Sequence, residues 1–261
     1  MKEIKISVIT VVHNGEAYIE QAIRSVINQT YKNIEYIIID GKSSDSTIKI
    51  IEKYQDQIAF WKSEPDESMY EAINKGLSIV SGDYIGILNS DDYYQNEFVI
   101  AKIVNILKKN PYEAIYGNRI DVDSNGNFIK RKKTFQVTLK QLLLSRHLTF
   151  IGHPTFFMSK NLLKNVGFYN IDYKYASDID YIIRCMNIYT ANYVNIDIVC
   201  FRLHQNSITA SGKINLEREI ILNKLGINNY SKIEQKIYYY LVWFKYLVFN
   251  WKNLPLYLKK I

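Results

Sequence analysis

Polar side chains stand at the ends of three apolar runs in this sequence. They are His13, Asp40 and the segment Asn89–Asp92. Carboxylate, amide and imidazole groups bind divalent cations and form hydrogen bonds with sugars and nucleotides. A turn or a helix cap explains each of these positions taken alone. The three positions together favour a nucleotide-binding site.

A repeated strand–helix unit positions these groups. Apolar runs predict strands and helical spacing predicts the helices between them. The predicted strands cover 4–12, 34–39, 58–61 and 84–88, and the predicted helices cover 16–29, 46–54 and 69–80. This alternation indicates an α/β fold with a mostly parallel sheet and helices on both faces. Ligands bind at the carboxyl ends of such strands, so we expect the three polar groups to meet at one edge of the sheet.

The alternation changes after a further helix predicted over 97–108. Asn125-Gly126 lies between alternating residues and predicts a hairpin within 120–132. The other predicted elements are strands over 114–116, 154–158 and 193–201 and helices over 138–145 and 177–189. Neither a linker nor an internal repeat interrupts the chain up to about residue 228. We therefore predict one domain with two lobes over 1–228, followed by a tail over 229–261.

Composition and charge exclude several classes of protein. The 261 residues are 48% apolar with only 11 Gly and 4 Pro, which supports a globular core and excludes a disordered or fibrous chain. The formal charge is +7, but six Lys and one Glu place +5 of it within 231–261. The nearly neutral body argues against a nucleic-acid partner. Both cysteines fall in segments predicted to be buried, and no signal-peptide core follows Met1, so we predict a cytoplasmic protein.

Two other nucleotide-binding motifs do not fit the glycine spacing. A dinucleotide site needs a G-x-G-x-x-G turn after the first strand, and this turn has only Gly15. Gly41-Lys42-Ser43 is similar to the end of a P-loop, but the glycine required five positions earlier is Tyr36.

Five motifs, in order and at the right spacing, resemble the inverting family 2 glycosyltransferases with the GT-A fold. They are Ser25-Val26-Ile27-Asn28-Gln29-Thr30, the turn 40–47, the segment 64–76, Gly82-Asp83-Tyr84 and the segment 88–92. The match covers roughly residues 4–205 and is most similar to the branch that builds bacterial surface polysaccharides. It implies a Rossmann-like GT-A fold with a nucleotide-sugar-binding half over 1–110 and an acceptor and catalytic half over 111–228.

The resemblance implies a metal-dependent transfer of a sugar from a nucleotide diphosphate sugar, with UDP expected, to a glycan or lipid-linked acceptor. Mn²⁺ or Mg²⁺ stabilises the charge that develops on the diphosphate leaving group. Asp91 matches the family's metal-binding Asp, and Asn89 replaces the usual first Asp of the D-x-D motif. Asp40 matches a carboxylate that contacts uracil or ribose, and Asp66 a second base-side contact. The remaining donor-side positions are Val11, His13, Asn74, Lys75 and Ser90.

An inverting transfer requires a base that takes the proton of the acceptor hydroxyl. The resemblance assigns this role to Asp178, at the start of the segment Asp178–Arg184, with Asp180 and Arg184 bracing the site. A helix cap or a partner of the helix dipole is the alternative for Asp178.

Three further residues receive supporting roles from the resemblance. His204, in the segment 201–207, matches the family's Tyr-Arg-x-His-x-x-Ser and implies a third metal ligand. A loop histidine is the alternative there. His153 and Asp92 are assigned supporting or acceptor-side roles, with a packed histidine as the alternative for His153.

The basic and aromatic segments of the acceptor half and tail suggest contact with lipid. The run Lys130–Lys133 is either a solvated hairpin edge or a contact for a lipid phosphate. The apolar run over 237–251 is short and interrupted by Lys245, so it does not predict a spanning helix. Its Tyr, Trp and Lys residues predict a helix at the interface of the anionic inner face of the cell membrane. A tail packed on the protein's own core or on a second subunit is the alternative, which leaves a homo-oligomer open.

Two other functions compete with transfer. A sugar-1-phosphate nucleotidyltransferase would carry a Gly-rich, basic loop after the first strand, and this chain has His13-Asn14-Gly15-Glu16. A catalytically inactive nucleotide-sugar-binding subunit of a membrane glycan-assembly complex is the second alternative. The presence of both Asp91 and Asp178 favours an active enzyme.

Overall fold

A computed structural model describes residues 3–144, 151–205 and 214–251. The last residue of the helix predicted over 138–145, the end of the motif 201–207 and the tail beyond residue 251 lie outside the described residues. The described strands form one nine-stranded sheet with helices packed on both of its faces. The predicted α/β class is therefore confirmed.

The first half of the chain alternates strands and helices as predicted. Its elements are β1 (Ile6–Val12), α1 (Ile19–Ile27), β2 (Ile34–Asp40), α2 (Thr47–Glu52), β3 (Phe60–Ser63), α3 (Met69–Ile79), β4 (Tyr84–Ile87), β5 (Tyr93–Tyr94) and α4 (Val99–Lys109). Strands β3, β2, β1 and β4 lie side by side in that order and pair in parallel. Their carboxyl ends therefore meet at one edge of the sheet.

Alternation along β1 supplies both core layers. Val8 and Val12 pack in the layer that contains α1 and α4, whereas Ile9 and Val11 pack in the layer that contains α3. Every residue of β1 is buried, as expected for a central parallel strand covered on both faces. Helix α1 turns its buried residues toward the sheet at helical spacing, namely Ile19, Ala22, Ile23 and Val26.

The second half of the chain extends the same sheet. Its elements are β6 (Ala114–Val122), β7 (Phe128–Lys132), α5 (Leu139–Leu144), β8 (Phe156–Ser159), α6 (Lys160–Val166), α7 (Ser177–Ile188) and β9 (Ala191–Arg202). Strand β8 lies between β4 and β6 and is antiparallel to both, while β9 is parallel to β6. The predicted hairpin is confirmed as β6–β7, with Gly126 at φ 86° in its turn.

The sheet is less parallel than the sequence predicts. Of the eight pairings between described strands four are antiparallel, and each involves β5, β7 or β8. A short apolar run indicates a strand but carries no information about its direction. The two-residue strand β5 and helix α6 have patterns too short to predict, and the separate strands predicted at 114–116 and from 120 form one strand, β6.

Two helices end the described chain, α8 (Ile214–Lys224) and α9 (Lys232–Phe249). Helix α9 begins five residues before the predicted apolar run because Ser231 and Glu234 form a capping box at its start. Its inner face packs on the domain, where Val242 is buried and the Phe249 ring lies 5.2 Å from that of Phe135. Within the described chain, no helix combines the length and the apolarity needed to cross a membrane.

Candidate active site

Hydrogen bonds join the loop after β1 to the loop after β2. The Nδ1 atom of His13 lies 2.8 Å from the carbonyl oxygen of Gly41, so Nδ1 carries the proton in this contact. Asn14 adopts a left-handed backbone with φ 51°, and its N–H donates to Ser43 Oγ at 2.7 Å. The Gly15 N–H donates to Thr47 Oγ1 at 2.9 Å. The two loops therefore form one rigid rim beside the carboxyl ends of β1 and β2.

Asp40 holds this rim together from inside the protein. Its side chain is fully buried and accepts hydrogen bonds from the N–H and Oγ of Ser43 and from Ser63 Oγ, at 2.5 to 2.9 Å. Asp40 is not among the residues that line the cavity described next, and its hydrogen bonds position the segment 40–43 beside that cavity.

One cavity of about 1160 Å³ opens at the carboxyl edge of the sheet. Single-ligand pockets are typically about 300–1,000 Å³, so this cavity has room for a donor and the end of an acceptor. Nine of the predicted site residues line it: Val11, His13, Asp66, Asn89, Ser90, Asp91, His153, Asp178 and His204. The structure thus brings together residues that are more than 160 positions apart in the sequence.

Arg202 fixes the loop that carries Asp91. The whole residue is 2% exposed, and its guanidinium donates to the carbonyl of Asp91 at 2.9 Å and to that of Ser124 at 2.8 Å. The backbone N–H of Arg202 donates to the carboxyl group of Asp92 at 2.9 Å, and the Asn89 amide donates to the same carboxyl group. Burial, and then the nearby charge of Asp91, raise the pKa of Asp92 well above its usual range. Asp92 therefore supports the loop from below and does not line the cavity.

Asp91 and His204 form the polar centre of this part of the cavity. His204 Nε2 lies 2.9 Å from Asp91 Oδ2, and the His204 ring lies 5.3 Å from the ring of Tyr18. Among the described residues, no group of three or more His, Cys, Asp or Glu side chains is arranged to hold a metal ion. One carboxylate and one imidazole still fit Mn²⁺ or Mg²⁺ when substrate phosphates supply the other ligands, which is the usual arrangement for Mg²⁺.

Asp178 lines the same cavity from the first turn of α7. The residue that caps α7 is Ala176, with no side-chain capping bond, so Asp178 is not the cap. Its carboxylate accepts a hydrogen bond from the hydroxyl of Tyr70 at 3.1 Å. Burial and the adjacent carboxylate raise the pKa of Tyr70 well above its usual range, so the hydroxyl keeps its proton and remains a donor.

Stacked aromatic rings support the Tyr70–Asp178 pair. Tyr169 stacks on Tyr181 at 4.0 Å and on Tyr70 at 5.8 Å between ring centroids. The Tyr169 hydroxyl lies 2.8 Å from His153 Nε2 in the cavity wall. Burial lowers the pKa of His153, which favours a neutral imidazole beside Asp178.

Glu217 positions the start of α7 from helix α8. Its carboxylate accepts three backbone N–H groups, those of Lys174 at 2.9 Å, Tyr175 at 2.7 Å and Ala176 at 2.9 Å. These groups directly precede the first turn of α7. Glu217 therefore fixes the segment that leads directly into Asp178.

We expect Glu217→Gln to lower kcat by roughly tenfold, because hydrogen bonds to a charged acceptor contribute about 1.5–3 kcal/mol. The affinity for UDP should not change, since Glu217 contacts the segment before α7 and does not line the cavity. Steady-state kinetics with isothermal titration of UDP measures both quantities, and Glu219→Gln on the same helix is the matched control. A loss of UDP affinity equal to the loss of kcat would contradict the positioning role.

Besides Asp40 and Asp92, four predicted site residues do not line the cavity: Asn74, Lys75, Asp180 and Arg184. The side-chain amide of Asn74 bonds to the backbone of Tyr169, and Lys75 pairs with Glu64 and Glu71, each at 3.4 Å. These partners occupy both side chains, so neither lines the cavity as the expected donor contact would. Arg184 Nε lies 2.8 Å from Asp180, and the Arg184 guanidinium also donates to the carbonyls of Val166 and Phe168, so the pair joins α7 to the end of α6.

The structure adds three residues to the site that the sequence analysis does not assign: Tyr70, Arg202 and Glu217. Tyr70 stands in the motif 64–76 without an assigned role, and Arg202 stands in the motif before His204. A basic residue in an otherwise apolar strand was the available signal for Arg202. Glu217 lies in a helix whose polar and apolar residues are mixed, so no pattern marks it.

The fold and this cavity are those of a sugar-nucleotide-dependent transferase. The model of glycosyl transferase family 2 matches residues 7–167, and the chain belongs to this family. A likeness to S. aureus TarS (residues 1 to 349, in complex with UDP-GlcNAc) has a TM-score of 0.71 at 18% identity and covers 95% of this chain and 74% of that one. A likeness to the mannosyltransferase PcManGT from Pyrobaculum calidifontis, in complex with GDP-Man and Mn²⁺, has a TM-score of 0.66 at 15% identity. It covers 88% of this chain and 66% of that one. Both likenesses show the GT-A fold.

Relatives of known sequence are glycosyltransferases. The UDP-Glc:alpha-D-GlcNAc-diphosphoundecaprenol beta-1,3-glucosyltransferase WfgD of Escherichia coli is 27% identical over 260 residues, which cover 97% of this chain and 99% of WfgD. An uncharacterized glycosyltransferase of Mycobacterium tuberculosis is 29% identical over 181 residues, which cover 69% of this chain and 68% of the relative. The chain is therefore a glycosyltransferase, as the sequence predicts.

Proposed function

We propose that this enzyme transfers a sugar, with inversion and with the help of a divalent cation, from a UDP-sugar to a glycan or lipid-linked acceptor in surface-polysaccharide synthesis. The observation that carries the proposal is one cavity that is lined by the adjacent pair Asp91 and His204 and also by Asp178. A cation-binding pair and a separate carboxylate in one cavity satisfy the two requirements of the reaction, a stabilised leaving group and a base.

The donor-binding side of the cavity has groups suited to a nucleotide. Val11, His13 and Asp66 line it beside the rim formed by the first two loops, and Ser90 lies next to Asp91. Burial raises the pKa of Asp66, which suits a carboxyl group in contact with a base or ribose edge. UDP is favoured over other nucleotides because TarS is described with UDP-GlcNAc and WfgD is named for UDP-Glc.

Asp91 and His204 would hold Mn²⁺ or Mg²⁺ together with the donor diphosphate. The bound cation would neutralise the charge that grows on the diphosphate as the glycosidic bond breaks. Asp91 keeps its position because Arg202 and Asp92 hold its loop from below. The complex of PcManGT with Mn²⁺ supports a cation in this fold.

Asp178 would accept the proton of the acceptor hydroxyl as that oxygen attacks the sugar. The Tyr70 hydroxyl donates to one carboxylate oxygen, Oδ1, which leaves the other oxygen for the acceptor. Tyr70 and Glu217 thereby fix the orientation of the carboxylate. A hydrolysis assay on the donor alone separates this proposal from the inactive-subunit alternative, because an inactive subunit would bind the donor and leave it intact.

The outer face of α9 would hold the enzyme on the anionic inner face of the cell membrane. Large apolar side chains recur along this face at helical spacing and are 37–72% exposed: Ile233, Ile237, Tyr240, Leu241, Trp243, Phe244 and Val248. Lys232 and Lys236 are exposed on the same helix. Apolar and aromatic residues with adjacent lysines are typical of helices that lie in the membrane interface. The diphosphoundecaprenol in the name of WfgD supports an acceptor at the membrane.

We expect the triple variant Leu241→Ser, Phe244→Ser, Val248→Ser to lose flotation with anionic vesicles while it stays folded. Each of these side chains is more than half exposed, and burying one in lipid contributes about 1.5–3 kcal/mol. The matched control replaces three exposed apolar residues in the first half of the chain, with Phe60→Ser, Ile79→Ser and Phe98→Ser, and should float normally. The proposal would be contradicted if the original protein did not float with the vesicles. If the original protein were also a dimer and the triple variant a monomer, this face would instead bind a second copy of the chain.

A thermal-shift screen of nucleotide sugars tests the proposed donor. UDP and UDP-sugars should raise the unfolding temperature with Mn²⁺ present and less without it, because a ligand that binds only the folded state stabilises it. A larger shift from GDP-mannose than from every UDP-sugar would contradict the choice of nucleotide.

A further inference from the structure

A cluster of charged residues faces the cavity from the β6–β7 hairpin. We call Arg119, Asp121, Lys130 and Lys132 the hairpin cluster. Arg119 pairs directly with Lys132 across the two strands, and Asp121 with Lys130, so all four side chains share one face. The Asp121 carboxylate lies 2.9 Å from Arg119 Nε, 3.3 Å from Lys132 Nζ and 3.9 Å from Lys130 Nζ. Within the cluster, three cations therefore face one carboxylate.

The cations of the cluster are held in a partly buried setting. Asp121 is fully buried, and the Lys132 side chain is 28% exposed. The guanidinium of Arg119 stacks on the Phe201 ring at 4.2 Å. Burial, and then the charge of Arg119, lower the pKa of Lys132 to about 8. Like charges held close together in a poorly solvated place favour the binding of an anion.

The cluster lies where an acceptor would enter. Arg119 and Lys132 line the same cavity as Asp178, and Tyr246 of α9 lines it as well. The Asn250 side chain, just after α9, accepts the N–H of Lys133 at 2.9 Å and donates to its carbonyl at 2.8 Å. The end of α9 is thus attached to the residue that follows Lys132. A lipid anchored on the outer face of α9 would reach the cavity beside the cluster.

We propose that Arg119 and Lys132, with Lys130 behind them, bind the phosphate or diphosphate group of an acceptor carried on an isoprenoid lipid. This proposal rests on the proposed function. The planar guanidinium of Arg119 suits two hydrogen bonds to one phosphate, and Lys132 adds a second charge. Bound in this way, the phosphate is fixed at one end of the acceptor while its sugar hydroxyl extends toward Asp178.

The test measures binding of farnesyl diphosphate to the full chain saturated with UDP and Mg²⁺, by isothermal titration. Saturating UDP occupies the donor site, so the probe reports the acceptor side. Lys132→Gln and Arg119→Gln should each weaken the binding of farnesyl diphosphate by about tenfold or more. Lys132→Arg keeps the charge and should stay near the original affinity. Arg131→Gln is the matched control, since Arg131 lies on the opposite face of β7 and pairs with Asp197 at 2.7 Å.

Two further probes identify which part of the ligand is recognised. Methyl diphosphate carries only the head group and should show the same order of variants at lower affinity, whereas farnesol should bind all variants equally. Thermal melting by circular dichroism checks that each variant is folded. Arg119→Gln removes the cation nearest to the buried Asp121 carboxylate. If that variant does not fold, Lys132→Gln alone provides the test.

Three results would overturn the inference. The first is that Lys132→Gln binds farnesyl diphosphate as tightly as Arg131→Gln does. The second is that Lys132→Gln and Arg119→Gln lose affinity for UDP by the same factor as for farnesyl diphosphate, which would assign the cluster to the donor diphosphate. The original protein could also bind UDP without binding farnesyl diphosphate, and then the proposed function would stand without this site. A protein that does not bind UDP would instead overturn the proposed function.

Discussion

Asp178→Asn should lower the rate of sugar transfer by roughly 10²- to 10⁴-fold, the effect typical of a lost general base. The amide is nearly the same shape as the carboxylate and still accepts the Tyr70 hydroxyl, so the loop and the fold should be kept. What it loses is the ability to take a proton at the acceptor. The affinity for UDP should stay unchanged, because Asp178 lies on α7, whereas the proposed nucleotide-binding residues Val11, His13 and Asp66 belong to β1 and to the loops after β1 and β3.

The matched control for this substitution is Asp172→Asn. Asp172 is an exposed carboxylate in the loop before α7, so it tests the loss of a charge without the loss of the base. Steady-state rates and UDP titrations on both variants provide the comparison. Asp178→Asn with a normal transfer rate, or with UDP affinity reduced as much as the rate, would contradict the assignment.

Asp91→Ala should abolish the stabilisation that UDP and Mn²⁺ produce together. At 100 times its Kd, a ligand raises the free energy of unfolding by about 2.7 kcal/mol, and this shift depends on the cation that Asp91 would hold. Turnover should fall below detection for the same reason. His204→Ala should have a smaller effect and raise the concentration of Mn²⁺ needed for half-maximal turnover.

Asn89→Ala and Asp56→Ala are controls that show whether the loss of turnover in Asp91→Ala is due to loss of the cation. Asn89 donates its amide to Asp92, so its loss should weaken the loop and reduce turnover less than Asp91→Ala does. Asp56 lies in an exposed turn far from the cavity and should behave as the original protein does. Normal turnover of Asp91→Ala at ordinary Mn²⁺ concentrations would show that the cation is held elsewhere or is not needed.

Local patterns predicted the half of the fold in which each strand is followed by its own helix. The apolar run over 34–39 identifies a strand, and its alternation with helices indicates that the strand is parallel to its neighbours. The polar residues that follow such runs lie at one edge of the sheet, as expected. The acceptor half depends on pairings that no local pattern encodes. Strand β8 inserts between β4 and β6 although about 70 residues separate it from β4, and its direction follows from that distant partner.

The residues of the site divide in the same way. Asp91, Asp178 and His204 were predicted because each stands in a motif with a chemical role, and all three line one cavity. Asp40 stands in such a motif as well, but Ser43 and Ser63 enclose its carboxylate, and only the folded chain shows this. Glu217 could not be predicted, because its function arises from three backbone N–H groups about 40 residues away.

The stereochemistry of transfer tests directly whether the enzyme inverts the sugar linkage with Asp178 as the base. The full chain is incubated with an α-linked UDP-sugar, Mn²⁺ and a short-chain lipid diphosphate that carries a single sugar, and the product is analysed by NMR. We expect release of UDP and a β-linked product, which Asp178→Asn does not form. An α-linked product would contradict the single-displacement role of Asp178, and the absence of any transfer with intact binding of UDP would favour an inactive nucleotide-sugar-binding subunit.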